Sequence, residues 1–373
     1  MLLRKKKTSG AKKPSTIKDL VRPGVAALEP YDAREIPCLV KLDANESPYA
    51  RPVGPGLVKA IMTNRYPDPQ AAGLRQAFVK RMLPSRKMSA DWVLHGNGSD
   101  ELIYNLICTF GGPVLYPVPT FSMYSKIAQA LGERPLGVPL APDFEIDDAG
   151  MTKALKAEKA KIVFISRPNN PTGNSFSEQK VLNIIKNASG IVVVDEAYQP
   201  FSRKKSFLRY LDKYENLAVL MTLSKIGFAA LRVGFLIARP ELITEVNKVR
   251  LPFNINSFSQ AIAAAALLNP GGLEEGIAKT VSERKRVFAG LSKIRGVTAY
   301  PSDANFILFR VPDAMGVCAR ALDRGVLLRN LSPALEGFLR VTIGSKKEND
   351  QFINAMKKIT AGGGRAKGAS RQR

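Results

Sequence analysis

Lys225 stands directly after an apolar run, Ala218 to Leu223, and Ser224. A lysine there is either solvated and inert, or desolvated. In the second case it loses its proton readily and adds to carbonyl groups as a Schiff base. Another apolar run, Ile191 to Val194, ends in Asp195-Glu196-Ala197-Tyr198. Taken alone, Asp195 reads as an ordinary strand-end cap. A third run, Lys161 to Ser166, leads into Arg167-Pro168-Asn169-Asn170-Pro171-Thr172-Gly173. Two prolines and a glycine make that a rigid turn, and it presents Asn170. Gly96-Asn97-Gly98-Ser99-Asp100-Glu101 opens into an apolar helical pattern. Small residues at a helix start expose backbone N–H groups, which bind phosphate together with the helix dipole. The alternative is a plain N-cap at Ser99. Ser224 and Arg232 offer further phosphate donors, Arg232 as a bidentate clamp.

These residues need a scaffold, and the hydrophobic pattern supplies one. Short, nearly continuous apolar runs at Val114 to Tyr116, Lys161 to Ser166, Ile191 to Asp195, Ala218 to Leu223 and Gly234 to Ala238 read as strands covered on both faces. They alternate with helical patterns at Ala71 to Met82, Asp100 to Phe110, Ser122 to Ala130 and Ser177 to Asn187. Such alternation predicts a parallel α/β sheet, whose ligands bind beyond the carboxyl ends of the strands. From about Asn269 the pattern changes. A long charged helix, Glu274 to Ile294, precedes strands at Ala304 to Arg310, Val326 to Arg329 and Phe338 to Ile343. The expected organisation is a basic tail (1–18), an arm with Pro23, Pro30 and Pro37 (19–51), a large α/β domain (52–268), a smaller α+β domain (269–360) and a second basic tail (361–373).

Composition narrows the function classes. The formal net charge is +24. The two tails carry seven and four basic residues and no acid, which leaves +13 on the body from Asp19 to Thr360. Basic tails are solvated ends or weak polyanion binders, and a basic body attracts phosphorylated small molecules. No apolar run is long enough to cross a bilayer, and no apolar stretch follows the basic N-terminus as a secretory signal requires. Cys38, Cys108 and Cys318 form no metal or disulfide pattern. They are expected as buried thiols in a cytoplasmic protein. His95 is the single histidine, so a histidine general base or metal cluster has no support and no metal site is expected. His95 and Trp92 read as structural residues.

The chain resembles the fold-type-I pyridoxal-phosphate (PLP) aminotransferases, and among them the histidinol-phosphate aminotransferase family. The carriers, in order, are Leu42-Asp43-Ala44-Asn45-Glu46-Ser47-Pro48-Tyr49, Arg65-Tyr66-Pro67-Asp68-Pro69, the Gly96 to Glu101 turn, Pro119-Thr120-Phe121-Ser122-Met123-Tyr124, Pro168 to Gly173, Asp195 to Tyr198, Thr222 to Lys225 and Leu339-Arg340-Val341-Thr342. The resemblance runs from about Val21 to Lys357. It implies PLP as cofactor, held by Lys225 as a Schiff base, with Lys225 then serving as acid and base. Asp195 is implied to pair with the pyridine nitrogen. Asn170 and Tyr198 are implied at the phenolic oxygen, and Tyr124 stacked on the ring face. Gly98, Ser99, Asp100, Ser224 and Arg232 are implied around the phosphate, joined by Tyr66 from the partner subunit of a homodimer. Arg340 is implied to bind the carboxylate of glutamate, and Tyr31 and Arg329 the phosphate end of the other substrate. Two departures stand out. Lys225 and Arg232 are seven residues apart where eight is commoner in the family. Arg167 replaces a small or amide residue, and reads as an exposed loop residue or an extra cation near the site.

The implied reaction is transfer of an amino group between glutamate/2-oxoglutarate and histidinol phosphate, in histidine biosynthesis. An aromatic-amino-acid aminotransferase and a PLP-dependent decarboxylase of phosphorylated amino acids share much of the motif set. A nucleic-acid-binding protein would suit the charge, but no binding motif is present. Nucleic-acid contact is expected only as non-specific binding through the tails.

Overall fold

The computed structural model describes residues 20–29, 36–49, 54–59, 61–83 and 88–362. The N-terminal basic tail, nearly all of the C-terminal one, and Tyr31 lie outside the described residues. The strands, in chain order, are β1 (Val40–Lys41), β2 (Val93–Asn97), β3 (Val114–Val118), β4 (Pro135–Pro139), β5 (Ile162–Ser166), β6 (Ile191–Asp195) and β7 (Leu217–Thr222). There follow β8 (Val233–Ala238), β9 (Thr298–Ala299), β10 (Phe306–Arg310), β11 (Val326–Leu327), β12 (Arg329–Asn330) and β13 (Phe338–Thr342).

Seven strands form the main sheet in the order β2-β8-β7-β6-β5-β3-β4. The strands β7, β6, β5, β3 and β4 run parallel, while β8 is antiparallel to both β7 and β2. The continuous apolar runs have a direct cause. Side chains alternate across a strand, and here each face has its own core. Val163 and Ile165 of β5, Val192 and Val194 of β6, and Leu217, Val219 and Met221 of β7 pack into one. Their alternates Ile162, Phe164, Val193, Ala218 and Leu220 pack into the other. Truncating Phe235, fully buried and packed against Phe78, to alanine is expected to cost about 3–5 kcal/mol.

Two strands escape the apolar-run criterion, for different reasons. His95, Gly96 and Asn97 interrupt the pattern of β2. The strand β4, Pro-Leu-Gly-Val-Pro, is an edge strand, where proline is tolerated because one side of the backbone has no neighbour to bond. The antiparallel setting of β8 is invisible in its hydrophobicity.

The C-terminal part builds a second, antiparallel sheet in the order β12-β13-β10-β9. Its core joins Ile307, Phe309, Leu339 and Val341 to Val287 and Leu291 of helix Gly271–Leu291 and Phe352 of helix Lys346–Gly362. The single strand expected over Val326 to Arg329 is two short ones. β11 pairs in parallel with β1, and β12 pairs with β13. Val40 and Leu42, which precede the main sheet by some fifty residues of sequence, therefore pack in the C-terminal core. Among the described residues no helix is long and apolar enough to cross a membrane.

Candidate active site

The carboxyl ends of β5, β6 and β7 open onto one edge of the main sheet, and each delivers one candidate residue. Beyond β5 the turn presents Asn170, β6 ends in Asp195, and the turn after β7 carries Lys225. Because β2 is parallel to these strands, its end delivers Gly98 and Ser99 to the same edge. Strand β8 runs the other way, so its beginning lies there, paired as Asn97 with Val233 and Thr222 with Gly234. Arg232, one residue earlier, is thereby placed beside the Gly98 turn.

These residues line a cleft of about 590 Å³ between the two sheets. Ser99, Asp100, Asn170, Asp195, Tyr198, Ser224, Lys225 and Arg232 come from the large sheet's edge, and Arg329 and Arg340 from the C-terminal part. Lys225 Nζ lies 5.9 Å from the centre of the Tyr198 ring and 3.5 Å from the Ala44 carbonyl oxygen. Tyr198 accepts a hydrogen bond from Asn45 Nδ2 at 3.0 Å. Asn170 Oδ1 accepts from Arg340 Nη1 at 2.6 Å, and Arg340 Nη2 donates to the Asp43 carbonyl at 2.7 Å.

Asp195 is buried at the floor. Desolvation pushes its carboxyl up to about 6, and the Asp100 charge acts in the same direction. A hydrogen bond from Tyr124, the Ala197 N–H at 3.0 Å and the Lys225 charge oppose that shift. A carboxylate kept from water calls for a cationic partner to ionise fully.

The Gly98 end of the cleft is a cradle. Helix Gly98–Phe110 starts at Gly98, so Ser99 lies within the first turn rather than at its cap. Gly98 has φ of 78°, and a Cβ on it would stand 2.5 Å from Arg232 Nη2. A Cβ on Gly234 would meet the Ser99 nitrogen at 2.7 Å. Arg232 Nη1 donates to Ser224 Oγ at 3.2 Å, and its Nη2 lies 3.4 Å from Asp100. The shorter Lys225-to-Arg232 loop thus still brings Arg232 onto Ser224. It does so through an irregular turn with Gly227 at φ 107° and Arg232 itself at φ 53°.

Tyr124 is not where the sequence placed it. It is fully buried, its ring stacks on Phe164 at 4.6 Å, and its hydroxyl donates to Asp195. It has no face toward the cleft. Phe121, three residues earlier, lines the cleft instead, because Tyr124 is already inside the helix Met123–Leu131 and points into the core. Arg167 is neither exposed nor in the cleft. Its guanidinium is buried over the Phe207 ring and donates to the Phe176 and Lys205 carbonyls. The thiols are less buried than expected: Cys108 is exposed and Cys38 and Cys318 are half-buried, Cys318 at the cleft wall. Tyr66 is 82% exposed and stacks on Phe253 at 4.6 Å, outside the cleft of its own chain.

Sequence reasoning missed three supporting groups. Asn45, Thr342 and Asn305 form a buried amide–hydroxyl knot. The Asn45 N–H donates to Thr342 Oγ1 at 2.9 Å, and Asn305 Nδ2 donates to the Asn45 carbonyl at 3.0 Å. Asn45 and Thr342 both lie in motifs already singled out, but their partners are some 300 residues apart.

The sequence profile of the family described as aminotransferase class I and II matches residues 32–356. Histidinol-phosphate aminotransferase 2 of Nitrosococcus oceani is 41% identical, over 90% of this chain and 96% of that protein. The chain belongs to this aminotransferase family. A histidinol-phosphate aminotransferase of Caldanaerobacter subterraneus subsp. tengcongensis is 39% identical over 92% of the chain and 99% of its own length. In fold, the chain is similar to the histidinol-phosphate aminotransferase of Sinorhizobium meliloti solved with pyridoxal-5'-phosphate. The TM-score there is 0.78 at 24% identity, covering 87% of this chain and 92% of that one. The L-threonine-O-3-phosphate decarboxylase of Porphyromonas gingivalis shares the fold at a TM-score of 0.73 and 21% identity, covering 86% and 99%. The chain is a PLP-dependent transaminase, and its residues fit that cofactor: a side-chain-free cradle with Arg232 for phosphate, a buried carboxylate for the ring nitrogen, and a lysine lining the same cleft.

Proposed function

We propose that this transaminase exchanges an amino group between glutamate/2-oxoglutarate and histidinol phosphate; the relatives named histidinol-phosphate aminotransferase support the second of these substrates. One structural observation carries the substrate reading. Arg329 of β12 and Arg340 of β13 are direct cross-strand partners, and both line the cleft. Like charges opposite one another weaken a sheet, and an anionic substrate offsets that cost. Arg340 takes the carboxylate and Arg329 the phosphate ester.

When bound, PLP supplies an electron sink for the pair left on the substrate carbon as its proton departs. Lys225 Nζ is the group that would hold the cofactor and would take up and return that proton. Asp195 would favour a proton on the pyridine nitrogen through its buried negative charge. Asn170 Nδ2 and the Tyr198 hydroxyl orient the phenolic oxygen, while Asn45 and Arg340 hold those two groups in place. Phe121 supplies an aromatic face. The Gly98–Ser99 N–H groups, Ser224 and Arg232 hold the phosphate.

The working unit in this reading is a homodimer in the cytoplasm. Tyr66, Leu251 and Phe253 are large apolar side chains exposed close to the phosphate cradle. A second copy would cover them and receive Tyr66.

Half-reaction spectra test the substrate. Holoenzyme is mixed separately with histidinol phosphate, phenylalanine and O-phosphothreonine, and conversion of the cofactor to its amino form is followed by absorbance. Fastest conversion with histidinol phosphate is expected. Preference for phenylalanine, or carbon dioxide release from O-phosphothreonine, would overturn the assignment.

A further inference from the structure

Four residues, Ala197, Tyr198, Ala304 and Phe306, form a small apolar cluster of their own at the joint between the two sheets. Phe306 is fully buried and does not line the cleft, yet its ring touches what does. Tyr198 packs against it edge to face, with centroids 5.1 Å apart and planes at 86°. The Arg340 guanidinium lies over it at 5.3 Å from the centroid. The register explains this: Phe306 is opposite Thr342 in the β10–β13 pair, so Arg340, two residues back, is its diagonal neighbour on the same face. A Cβ built on Gly173, at the end of the turn carrying Asn170, would meet Phe306 at 3.5 Å.

We propose that Phe306 is a positioning residue, a wedge that sets Arg340 for the substrate carboxylate and Tyr198 for the cofactor, with Arg284 locking it in place. The buried Arg284 donates to the Ala304 carbonyl at 2.6 Å and the Phe201 carbonyl at 3.2 Å. Ala304 is two residues before Phe306, and Phe201 is three after Tyr198. One guanidinium on helix Gly271–Leu291 therefore fixes the backbone on both sides of the Tyr198–Phe306 contact. The ring in turn offers its face to Arg340, whose Nη1 and Nη2 are fixed by Asn170 and Asp43. Without the ring face, the guanidinium keeps its hydrogen bonds but loses the surface that holds its plane.

The inference rests on the reading of Arg340 as the carboxylate ligand, and the test separates the two. Holoenzymes carrying Phe306→Leu or Phe306→Met keep an apolar side chain of similar bulk and lose the ring. Each is compared with Arg340→Gln and with the double variants in the half-reaction. A desolvated cation–ring contact predicts that the half-saturating glutamate concentration rises roughly tenfold. The spectrum of bound cofactor is retained, and the half-saturating concentration of histidinol phosphate, which has no carboxylate, barely moves. The maximal rate falls by a similar factor for both substrates, through Tyr198. On an Arg340→Gln background the Phe306 change adds nothing to the glutamate requirement. Losses that add, or that strike both half-saturating concentrations alike, overturn the wedge while leaving Arg340 in its role. An Arg340→Gln enzyme with an unchanged glutamate requirement overturns both. Should the Phe306 variants fail to fold, Arg284→Met must reproduce the glutamate-selective rise for the inference to stand.

Discussion

The Tyr124 hydroxyl donates to Asp195 Oδ2 over 2.6 Å, with both side chains sealed from solvent. The bond favours the ionised form of Asp195, the form that its proposed role opposite the cofactor nitrogen requires. Burial pushes that carboxyl the other way and prevails, leaving it at about 6 with the tyrosine's bond in place. Tyr124→Phe removes the donor and raises the Asp195 pKa further, since a hydrogen bond to a charged group is worth about 1.5–3 kcal/mol. The affinity of the apoenzyme for PLP is expected to decline as pH is lowered in both proteins, and the decline should begin about one to two units higher in the variant. Identical pH profiles would show that the tyrosine only fills space.

The same carboxyl makes the apoenzyme pH-sensitive in stability. Its folded pKa lies above the ordinary 3.8, at about 6. The folded state then holds a proton that the unfolded chain has released. Its favourable contribution is complete at low pH and is lost as pH rises from about 4 to about 6. Asp195→Asn removes this titration. The variant apoenzyme is expected to be more stable than the parent at pH 7 by about 1–3 kcal/mol, and less pH-dependent across that window, while losing several orders of magnitude in turnover. Denaturant titrations at pH 4.5 and 7 check the first part. An apoenzyme variant less stable than the parent at pH 7 contradicts it.

Gly98→Ala puts a methyl group onto Arg232 Nη2, at a backbone angle of 78° that L-residues avoid. Displacing the guanidinium costs phosphate contacts, so the dissociation constant for PLP is expected to rise at least about tenfold. Fluorescence titration of the apoenzyme measures it. An unchanged constant would place the cofactor phosphate elsewhere.

Arg329→Ala is expected to lower kcat/KM for histidinol phosphate about ten- to a hundredfold. Glutamate is expected to suffer less, because Arg340 is held by Asn170 and Asp43 rather than by Arg329. Equal losses for both substrates would count against a phosphate role.

Tyr66 stacks on Phe253 of its own chain and is otherwise exposed. If a second subunit receives it, sedimentation should show a dimer at assay concentrations, and Tyr66→Phe should weaken PLP binding several-fold without breaking that dimer. A fully active monomer would refute the arrangement.

How much of this was legible beforehand differs from residue to residue. Lys225, Asp195 and Asn170 stand at the ends of strands whose unbroken apolar runs announce burial on both faces, and the position after such a run is a property of local sequence. Gly98 was legible for a different reason, as a small residue at the entry to an apolar helical pattern, although Gly96 and Asn97 before it end strand β2 rather than form a turn. Tyr124 shows the limit. Its motif was evident, but Phe121 precedes the helix Met123–Leu131 while Tyr124 lies in its first turn, and the packing of that turn against Phe164 decides which of the two rings is buried and which faces the cleft. Arg167 likewise looks like a surface residue until Phe207, forty residues on, slides beneath its guanidinium.

Sequence by itself determined where the candidate residues stand and which strands present them, because hydrophobic periodicity and turn composition act over a few neighbours, while their proposed roles came from the family resemblance. Only the tertiary structure decided what holds those residues still. Arg232 reaches the cradle because β8 runs antiparallel, a choice made by pairing and not by its apolar composition. Asn45 meets Thr342 and Tyr198, and Phe306 meets Arg340, because β1 joins β11 and β10 pairs with β13 in one register. Such contacts link positions up to about 300 residues apart, and their energies depend on distances that no local pattern encodes.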